Sequence, residues 1–259
     1  MDLMLKNIKV LITGGNRGIG LACVKAFSKE GAQVSLLVRD TKDAKKKVSK
    51  IKSKKIFINE INFDSEDSIK QAINKSFKTM KGLDIVVNSA GGAARGGFDK
   101  NSLDEWEGRF KIKPLGLINL CSHSVKYLKK SKNPSIINIS GLHGKEPNYW
   151  TTMASTINAA VHGYSKALST ELGKFGIRVN VVSPGFSKGR RFEELVKIMA
   201  KEKNNSITIA RKNLISLIPL GKLIDTEDVA NAILFLASPK SRMITGSEIK
   251  VDGGRSKHI

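Results

Sequence analysis

The feature that most constrains this chain is a glycine-rich segment near its start, residues 9–20, which reads KVLITGGNRGIG. A short β-branched apolar run leads into a cluster of glycines, and the apolar positions after Gly20 fall at helical spacing. The segment therefore predicts a strand, a tight turn and the start of a helix. Such a junction binds phosphate, because free backbone N–H groups and the positive end of the helix dipole face the same point.

Three of the glycines have separate roles in this prediction. Gly14 permits the tight turn, Gly18 lets backbone N–H groups approach a diphosphate, and Gly20 allows the helix to pack closely on the strand. The alternative is an ordinary glycine-rich turn. The strand before it and the helix after it favour a dinucleotide site.

Strands and helices alternate along the rest of the chain, which predicts a parallel sheet and one α/β domain over residues 1–259. The predicted strands are residues 9–13, 33–38, 55–61, 83–87, 135–140, 177–182 and 248–251, and the two longest predicted helices are residues 106–130 and 152–174. A binding cleft is expected at the carboxyl ends of the strands. Residues 189–217 form a polar, helix-prone insertion, predicted to be a substrate lid.

The chain has a formal net charge of +22, with its densest lysine cluster over residues 45–55. Aromatic residues are few and no nucleic-acid motif accompanies the lysines, so we predict a solvated basic surface rather than a specific nucleic-acid interface. Cys23 and Cys121 lie far apart in apolar helical patterns, so no disulfide framework or metal site is predicted. No apolar run is long enough to span a bilayer. The expected location is the cytoplasm.

Five motifs point to a family. They are residues 13–20 (TGGNRGIG), 88–91 (NSAG), 176–180 (GIRVN), 184–185 (PG) and 251–254 (VDGG). Through them the chain resembles the short-chain dehydrogenase/reductases over essentially its full length. The resemblance implies a single doubly wound Rossmann-type α/β domain, a seven-stranded parallel sheet in the order 3-2-1-4-5-6-7 with helices on both faces, and a homodimer or homotetramer. It also implies hydride exchange between a nicotinamide cofactor and a small carbonyl or alcohol substrate, with a 3-oxoacyl compound as one candidate.

The resemblance also carries cofactor-binding roles onto this chain. The positions are Gly14, Asn16, Arg17, Gly18, Ile19, Gly20, Arg39, Asn62, Phe63, Asn88, Ala90, Gly91, Pro184 and Gly185. Val38 stands where NAD-preferring members have an acid, and Arg39 follows it. Arg39 and Arg17 suit a 2′-phosphate through charge-assisted hydrogen bonds, so NADP(H) is predicted over NAD(H). The alternative is that both arginines are only surface residues beside a strand end.

The four positions at which the family has its catalytic residues carry other residues here. Backward alignment from residues 176–180 places Ala154 at the tyrosine position and Asn158 at the lysine position. Gly141 falls at the serine position, and Lys113 at the position of the asparagine that supports a water relay. The resemblance therefore implies the cofactor fold without the usual acid/base residues.

Two further observations concern the missing catalytic residues and the contact with the nicotinamide. Tyr164 and Lys166 do not restore the missing pair, because residues two apart on a helix project from different faces. Gly189 stands where a threonine often contacts the nicotinamide amide, and Ser187 is a candidate replacement.

Two interpretations remain open. In the first, the protein is a reductase or dehydrogenase whose acid/base group has moved, and Lys113 is the leading candidate because partial burial would lower its pKa. The further catalytic candidates are Asn158, Ser140, His143, Tyr149 and His162. Arg95 and Trp150 are expected to join His143 and Tyr149 in lining the substrate pocket. In the second, hydride chemistry has lapsed and the chain is an NADP-binding or scaffold protein.

Overall fold

The strand with which the glycine-rich segment begins, β1, lies inside a parallel sheet and pairs with β2 on one side and β4 on the other. The computed structural model describes residues 2–53, 55–92 and 98–258. Within these ranges the sheet has seven strands in the order β3-β2-β1-β4-β5-β6-β7, which confirms the predicted order. The strands are β1 (Lys9–Thr13), β2 (Gln33–Val38), β3 (Ile56–Glu60), β4 (Ile85–Asn88), β5 (Ser135–Ile139), β6 (Arg178–Pro184) and β7 (Glu248–Val251).

Helices cover both faces of the sheet. They are α1 (Gly18–Lys29), α2 (Thr41–Val48), α3 (Glu66–Met80), α4 (Leu103–Phe110), α5 (Gly116–Leu128), α6 (Thr152–Gly173), α7 (Arg190–Glu202), α8 (Ile207–Ile215) and α9 (Thr226–Ala237). Successive side chains of a strand point to opposite faces. In β1, Val10 and Ile12 join an apolar core with α1 and α9, whereas Leu11 joins a second core with α3, α5 and α6. No helix of the described ranges is both long and apolar enough to cross a membrane.

The predicted continuous helix over residues 106–130 is wrong in detail. The structure has α4, then a π-helical turn over Lys111–Leu115, and then α5. Pro114 lies inside this turn. Proline has no N–H to donate and its ring collides with the carbonyl of an ordinary α-helical turn, so a wider turn accommodates it. This irregular turn carries Lys113.

The insertion predicted over residues 189–217 forms two helices, α7 and α8, which pack on each other. Phe192, Val196 and Ala200 of α7 meet Ala210 and Leu214 of α8 in an apolar cluster of their own. The insertion is therefore less uniformly polar than its composition indicates. The residues of this cluster are buried, whereas Ile198, Ile207 and Ile209 are exposed.

Candidate active site

The glycine turn after β1 has the backbone shape that the sequence predicts. Gly14 has φ +70°, and a Cβ there would lie 2.9 Å from Ala90 Cα. A Cβ on Gly20 would lie 2.5 Å from the Gly14 carbonyl oxygen. Gly18 also has positive φ, +51°, but no heavy atom lies within 4 Å of its Cβ position. The turn is thus tightly packed on the inside and open at Gly18, where the α1 N-terminus begins.

The hydroxyl of Thr13 connects this turn to the next strand of the site. Thr13 Oγ1 accepts hydrogen bonds from the backbone N–H groups of Ser89 and Ala90, at 3.1 and 3.0 Å. It thereby fixes where the chain leaves β4, the segment on which Ala90 and Gly91 were predicted to bind cofactor. Sequence analysis quoted Thr13 in the motif but gave it no role. Thr13 is the last residue of a strand before a glycine turn, and this position was the signal that could have indicated its role.

The predicted residues around the end of β2 lie at the surface. Arg17 and Arg39 are both exposed. Asn16 donates from Nδ2 to Asp43 Oδ2 at 2.9 Å, which ties the glycine turn to α2. Asn62 uses its Oδ1 to accept from the Asp64 N–H at 3.0 Å, so its amide nitrogen stays available to a ligand.

The side-chain amide of Asn88 makes its hydrogen bond inside the protein. It is buried, and its Nδ2 donates to Asn138 Oδ1 of β5 at 2.7 Å. Asn138 donates in turn to Ser165 Oγ of α6 at 2.8 Å. The amide therefore locks β4, β5 and α6 together beneath the site. Phe63, predicted beside Asn62, packs close to Gly116 and lines a small cavity with Lys113.

Pro184 and Gly185 end β6 at the same edge of the sheet. A Cβ on Gly185 would lie 2.9 Å from Asp252 Cα, and the Gly185 N–H donates to the Val251 carbonyl at 2.9 Å. The Asp252 carboxylate accepts from the N–H groups of Gly254 and Ser256, which holds the chain after β7 behind this turn.

Lys113 lies at the centre of the candidate site. Only 9% of it is exposed, and its Nζ donates to Asn158 Oδ1 of α6 at 2.7 Å. Its stem packs near Gly91, where an added Cβ would lie 3.0 Å from Lys113 Cβ. Burial, followed by the positive charge of Arg191, lowers the pKa of Lys113 to about 7. Both of its protonation states are therefore populated near neutral pH.

Asn158 and Gly141 fit each other. A Cβ on Gly141 would lie 2.9 Å from Asn158 Nδ2, so the space beside this glycine is taken by the amide. Gly144 lies equally close to the α6 backbone at Asn158. Three positions that are distant in the sequence, Lys113, Gly141 and Asn158, thus form one packed group.

Of the other predicted proton donors, Ser140 contacts this group, whereas His143 and Tyr149 lie on the segment between β5 and α6. The buried Ser140 hydroxyl donates to the Asn158 backbone carbonyl at 3.3 Å. His143 Nδ1 lies 3.2 Å from the Glu146 carbonyl of its own loop. Tyr149 is 76% exposed, and its ring tilts against that of Trp150.

His162 belongs to a charged group behind the loop. Its Nε2 lies 3.6 Å from Glu248 Oε1, and Lys145 Nζ lies 2.9 Å from Glu248 Oε2. Burial lowers the pKa of His162, and the Glu248 carboxylate partly opposes this shift.

An open groove lies at the start of α6, lined by Pro147, Asn148, Tyr149, Thr152, Ser155 and Thr156. Ser155 was missed by sequence reasoning. Its buried hydroxyl lies 3.3 Å from Thr151 Oγ1. The signal that could have found Ser155 was its position directly after Ala154, which aligns with the family's tyrosine.

Two arginines that the sequence did not single out lie over the loop after β4. The Arg191 guanidinium, on the first turn of α7, occupies the space that a Cβ on Gly92 would fill. Arg109 Nη1 donates to the Gly92 carbonyl at 3.2 Å. Arg95, predicted to line the substrate pocket, lies outside the described residues.

The family model described as enoyl-(acyl carrier protein) reductase matches residues 14–256, which is nearly the whole chain. This chain belongs to the short-chain dehydrogenase/reductase family. The match includes the glycine turn from Gly14 onward, the Lys113 segment and helices α7 and α8, whereas Thr13 and the rest of β1 precede it.

Relatives in the short-chain dehydrogenase/reductase family carry different activities at similar identity. The 3-oxoacyl-[acyl-carrier-protein] reductase FabG of Chlamydia muridarum is 30% identical over 98% of this chain and 99% of its own length. The 2,5-dichloro-2,5-cyclohexadiene-1,4-diol dehydrogenase LinX of Sphingobium indicum is 34% identical over 95% of each chain. Among solved structures, YwfH, described as an NADPH dependent reductase involved in bacilysin biosynthesis, has a TM-score of 0.90 at 25% identity and covers 98% of this chain and 100% of its own.

Tyr164 and Lys166 contact different parts of this short-chain dehydrogenase/reductase. Tyr164 packs on the second apolar core, and burial raises its pKa. Lys166 lies instead beside Gly246. The two residues therefore serve different parts of the fold, as their spacing predicts.

Proposed function

We propose that this chain is an NADP(H)-dependent oxidoreductase that interconverts a carbonyl and an alcohol, with Lys113 as its proton-handling group. The observation that carries the proposal is the 2.7 Å hydrogen bond from Lys113 Nζ to Asn158 Oδ1, next to Gly91. A buried amine whose pKa lies near neutrality is suited to general acid/base work, because it can give and accept a proton at working pH.

Lys113 and Asn158, the hydrogen-bonded pair, both stand at positions of the family's catalytic motif. Lys113 stands at the asparagine position and Asn158 at the lysine position, so the two residue types have exchanged places. The pair still forms across the same two helical segments. Gly141, at the serine position, leaves the space that the Asn158 amide occupies. Substitutions that fit one another favour a working alternative site over one that has lapsed.

A dinucleotide fits the residues around the glycine turn. The positive φ of Gly14 and Gly18, with open space at Gly18, supports close approach of a diphosphate to the backbone. The exposed guanidinium groups of Arg17 and Arg39 support a 2′-phosphate and hence NADP(H), and the related YwfH is described as NADPH dependent. When bound, the reduced cofactor supplies the hydride.

The side chains of this protein then handle the proton. In the reducing direction the Lys113 ammonium donates a proton to the carbonyl oxygen as the hydride arrives at carbon. In the oxidising direction the neutral amine accepts the alcohol proton. Asn158 holds Nζ in place through its carbonyl oxygen, and Ala154 leaves room for a substrate oxygen where the family has its tyrosine.

The substrate is proposed to be a small carbonyl compound or its alcohol, with 3-oxoacyl thioesters as one class to test, because a FabG relative acts on such groups. The groove at Tyr149 and Ser155 offers hydroxyls and an aromatic ring beside the start of α6. We propose residues 189–217 as the lid over this cleft, since Arg191 already reaches Gly92.

A homo-oligomer is proposed as the working state. Leu103, Leu115 and Ile118 expose apolar side chains along the segment from α4 to α5. Exposed apolar residues along one helical segment suit a twofold interface between copies. Light scattering on the purified chain measures this directly, and a monomer at micromolar concentration would contradict the proposal.

The proposed reaction is tested by mixing the protein with NADPH and a panel of ketones, 2-oxo acids and 3-oxoacyl thioesters. Loss of reduced nicotinamide absorbance, with alcohol formed in equal amount, is the expected result. Micromolar binding of NADPH by calorimetry without turnover of any panel member would instead favour a dinucleotide-binding protein.

A further inference from the structure

The loop between β5 and α6 is tied to the segment that follows β7, residues 252–258. Ser256 Oγ donates to Glu146 Oε1 at 2.6 Å, and the His258 N–H donates to the same oxygen at 2.7 Å. Glu146 directly precedes Pro147, which lines the groove at the start of α6. The segment after β7 therefore anchors one wall of that groove.

The same segment also contacts the insertion that carries α7 and α8. The Arg255 guanidinium carbon lies 3.9 Å from the centre of the Phe186 ring, within the range of a cation–π contact. The centre of the Phe186 ring lies in turn 5.8 Å from that of Phe192 on α7, and Phe186 packs against the apolar cluster of α7 and α8. On the chain that leaves α8, the Leu220 N–H donates to the Gly253 carbonyl at 3.1 Å. Residues on both sides of the insertion thus meet this segment.

The two sets of contacts come from neighbouring residues of a folded segment. The Asp252 carboxylate accepts from the N–H groups of Gly254 and Ser256 at 2.9 and 2.8 Å, which closes the segment into a turn. Arg255 and Ser256 are consecutive, so the contact with the α7–α8 insertion and the contact with the loop before α6 lie one residue apart. A displacement on one side is therefore passed to the other with little slack chain between them.

We propose that residues 252–258, which we name the strap, couple the α7–α8 insertion to the loop before α6, so that the two segments move as one unit. Coupling between separate segments needs a continuous path of physical contacts. The strap supplies one, from Phe192 through Phe186 and Arg255 to Glu146. That this joint motion opens and closes a substrate cleft rests on the proposed function. The coupling itself does not, because it can be measured without substrate.

Hydrogen–deuterium exchange with mass spectrometry tests the coupling on the full chain. Glu146→Ala removes the acceptor of both strap hydrogen bonds on the loop side. We expect amide exchange in α7 and α8 to rise about tenfold, the effect of losing a hydrogen bond to a charged group, although the substituted residue lies on the other side of the strap. Faster exchange confined to the loop and the strap would overturn the proposal.

Lys145→Gln is the matched control for this variant. Lys145 is the neighbouring residue of the same loop, but its Nζ lies 2.9 Å from Glu248 Oε2 of β7, so its contact bypasses the strap. Lys145→Gln should raise exchange near its own loop and leave α7 and α8 unchanged. An equal rise in α7 and α8 for Lys145→Gln and Glu146→Ala would also overturn the proposal, because the strap would then not be the connection.

The reciprocal experiment starts from the other side of the strap. Arg255→Gln removes the ring contact with Phe186, and Arg242→Gln, at an exposed position, is the control for the lost charge. We expect exchange in the loop before α6 to rise severalfold in Arg255→Gln alone. Unchanged exchange in that loop would show two independent contacts and no coupling.

A milder variant keeps the test decisive if Glu146→Ala fails to fold, which its melting temperature reports. Glu146→Gln retains an acceptor oxygen without the charge, so it should raise exchange in α7 and α8 by a smaller factor. None of these readouts needs turnover. Coupled exchange without any reaction in the NADPH panel overturns the proposed reaction alone, whereas turnover with uncoupled exchange overturns the strap alone.

Discussion

We expect the two halves of the candidate site to depart from the family pattern to very different degrees. The glycine turn after β1 keeps the family motif, and its structure depends on backbone: positive φ at Gly14 and Gly18 and close contacts at Gly14 and Gly20. The other half is built from the π-helical turn, the loop after β5 and α6, and it carries Lys113, Gly141 and Asn158 at the aligned positions. Binding by backbone N–H groups tolerates little change, whereas proton transfer needs only a suitable group within reach.

The sharpest test of this contrast is Lys113→Met. We expect turnover to fall by about 10²–10⁴-fold, the range for loss of a general acid, while NADPH affinity stays within a few-fold of wild type. Lys111→Met is the matched control, because Lys111 is an exposed lysine of the same π-helical turn. Steady-state kinetics and calorimetry measure the two effects. Full activity in Lys113→Met would show that the proton comes from elsewhere.

Gly14→Ala is expected to weaken cofactor binding, the property that Lys113→Met should leave almost unchanged. The new Cβ would press on the Ala90 backbone, and the positive φ is unfavourable for alanine. We expect NADPH affinity to fall roughly 100-fold, equivalent to about 3 kcal/mol, with a lower melting temperature. Gly108→Ala, where a Cβ meets nothing within 4 Å inside α4, should leave both unchanged or raise stability slightly. Unaltered NADPH binding by Gly14→Ala would remove the cofactor role of this turn.

The pH dependence follows from the pKa of Lys113, which burial lowers to about 7. Since reduction needs the ammonium form, its rate should fall about tenfold for each pH unit above that value. Lys113→Arg, which stays protonated, should lose this descending limb of the pH–rate profile.

The effect of Lys113 on the free energy of unfolding also depends on pH, and its sign follows because the folded-state pKa lies below the ordinary value. The destabilising contribution of Lys113 is full below about pH 7 and disappears as pH rises, so the stability gained by Lys113→Met should shrink in alkaline urea titrations.

The fit between Gly141 and Asn158 predicts non-additive behaviour. Gly141→Ala alone should push the Asn158 amide aside, loosen its bond to Lys113 and reduce turnover roughly tenfold, about the free energy of one hydrogen bond to a charged group. In an Asn158→Ala background the added methyl group should cost little further activity. A double-mutant cycle on kcat measures the coupling, and strictly additive losses would show that the two residues act independently.

The smallest effect is expected at Arg39. Arg39→Gln should weaken NADPH binding about fivefold, within the range of an exposed charge-assisted contact, and leave NADH binding unchanged. Lys42→Gln, on the adjoining α2, is the control for net charge. The ratio of the two dissociation constants is the measurement. Equal losses for both nucleotides would mean that Arg39 does not contact a 2′-phosphate.

Sequence alone determined the order of strands and helices, because apolar runs and glycine turns are local signals. The bounds of β1, β2 and β7 agree with their predicted ranges, and the glycine turn has the predicted conformation. The predicted helix over residues 106–130 failed at Pro114, since a π-helical turn keeps the chain direction while changing the hydrogen bonding. Patterns of hydrophobicity do not distinguish such a turn from an ordinary one.

Tertiary structure alone decided which of the named side chains act together. Sequence reasoning made Lys113 the leading candidate and left five further ones, Asn158, Ser140, His143, Tyr149 and His162. In the folded protein Lys113 donates a hydrogen bond to Asn158, and the Ser140 hydroxyl donates to the α6 backbone. Tyr149 is exposed to solvent. The fold also brings Arg191 of α7 onto Gly92, across almost a hundred positions of chain. Sequence patterns describe neighbours along the chain, whereas hydrogen bonds and charge clusters depend on distances that only packing sets.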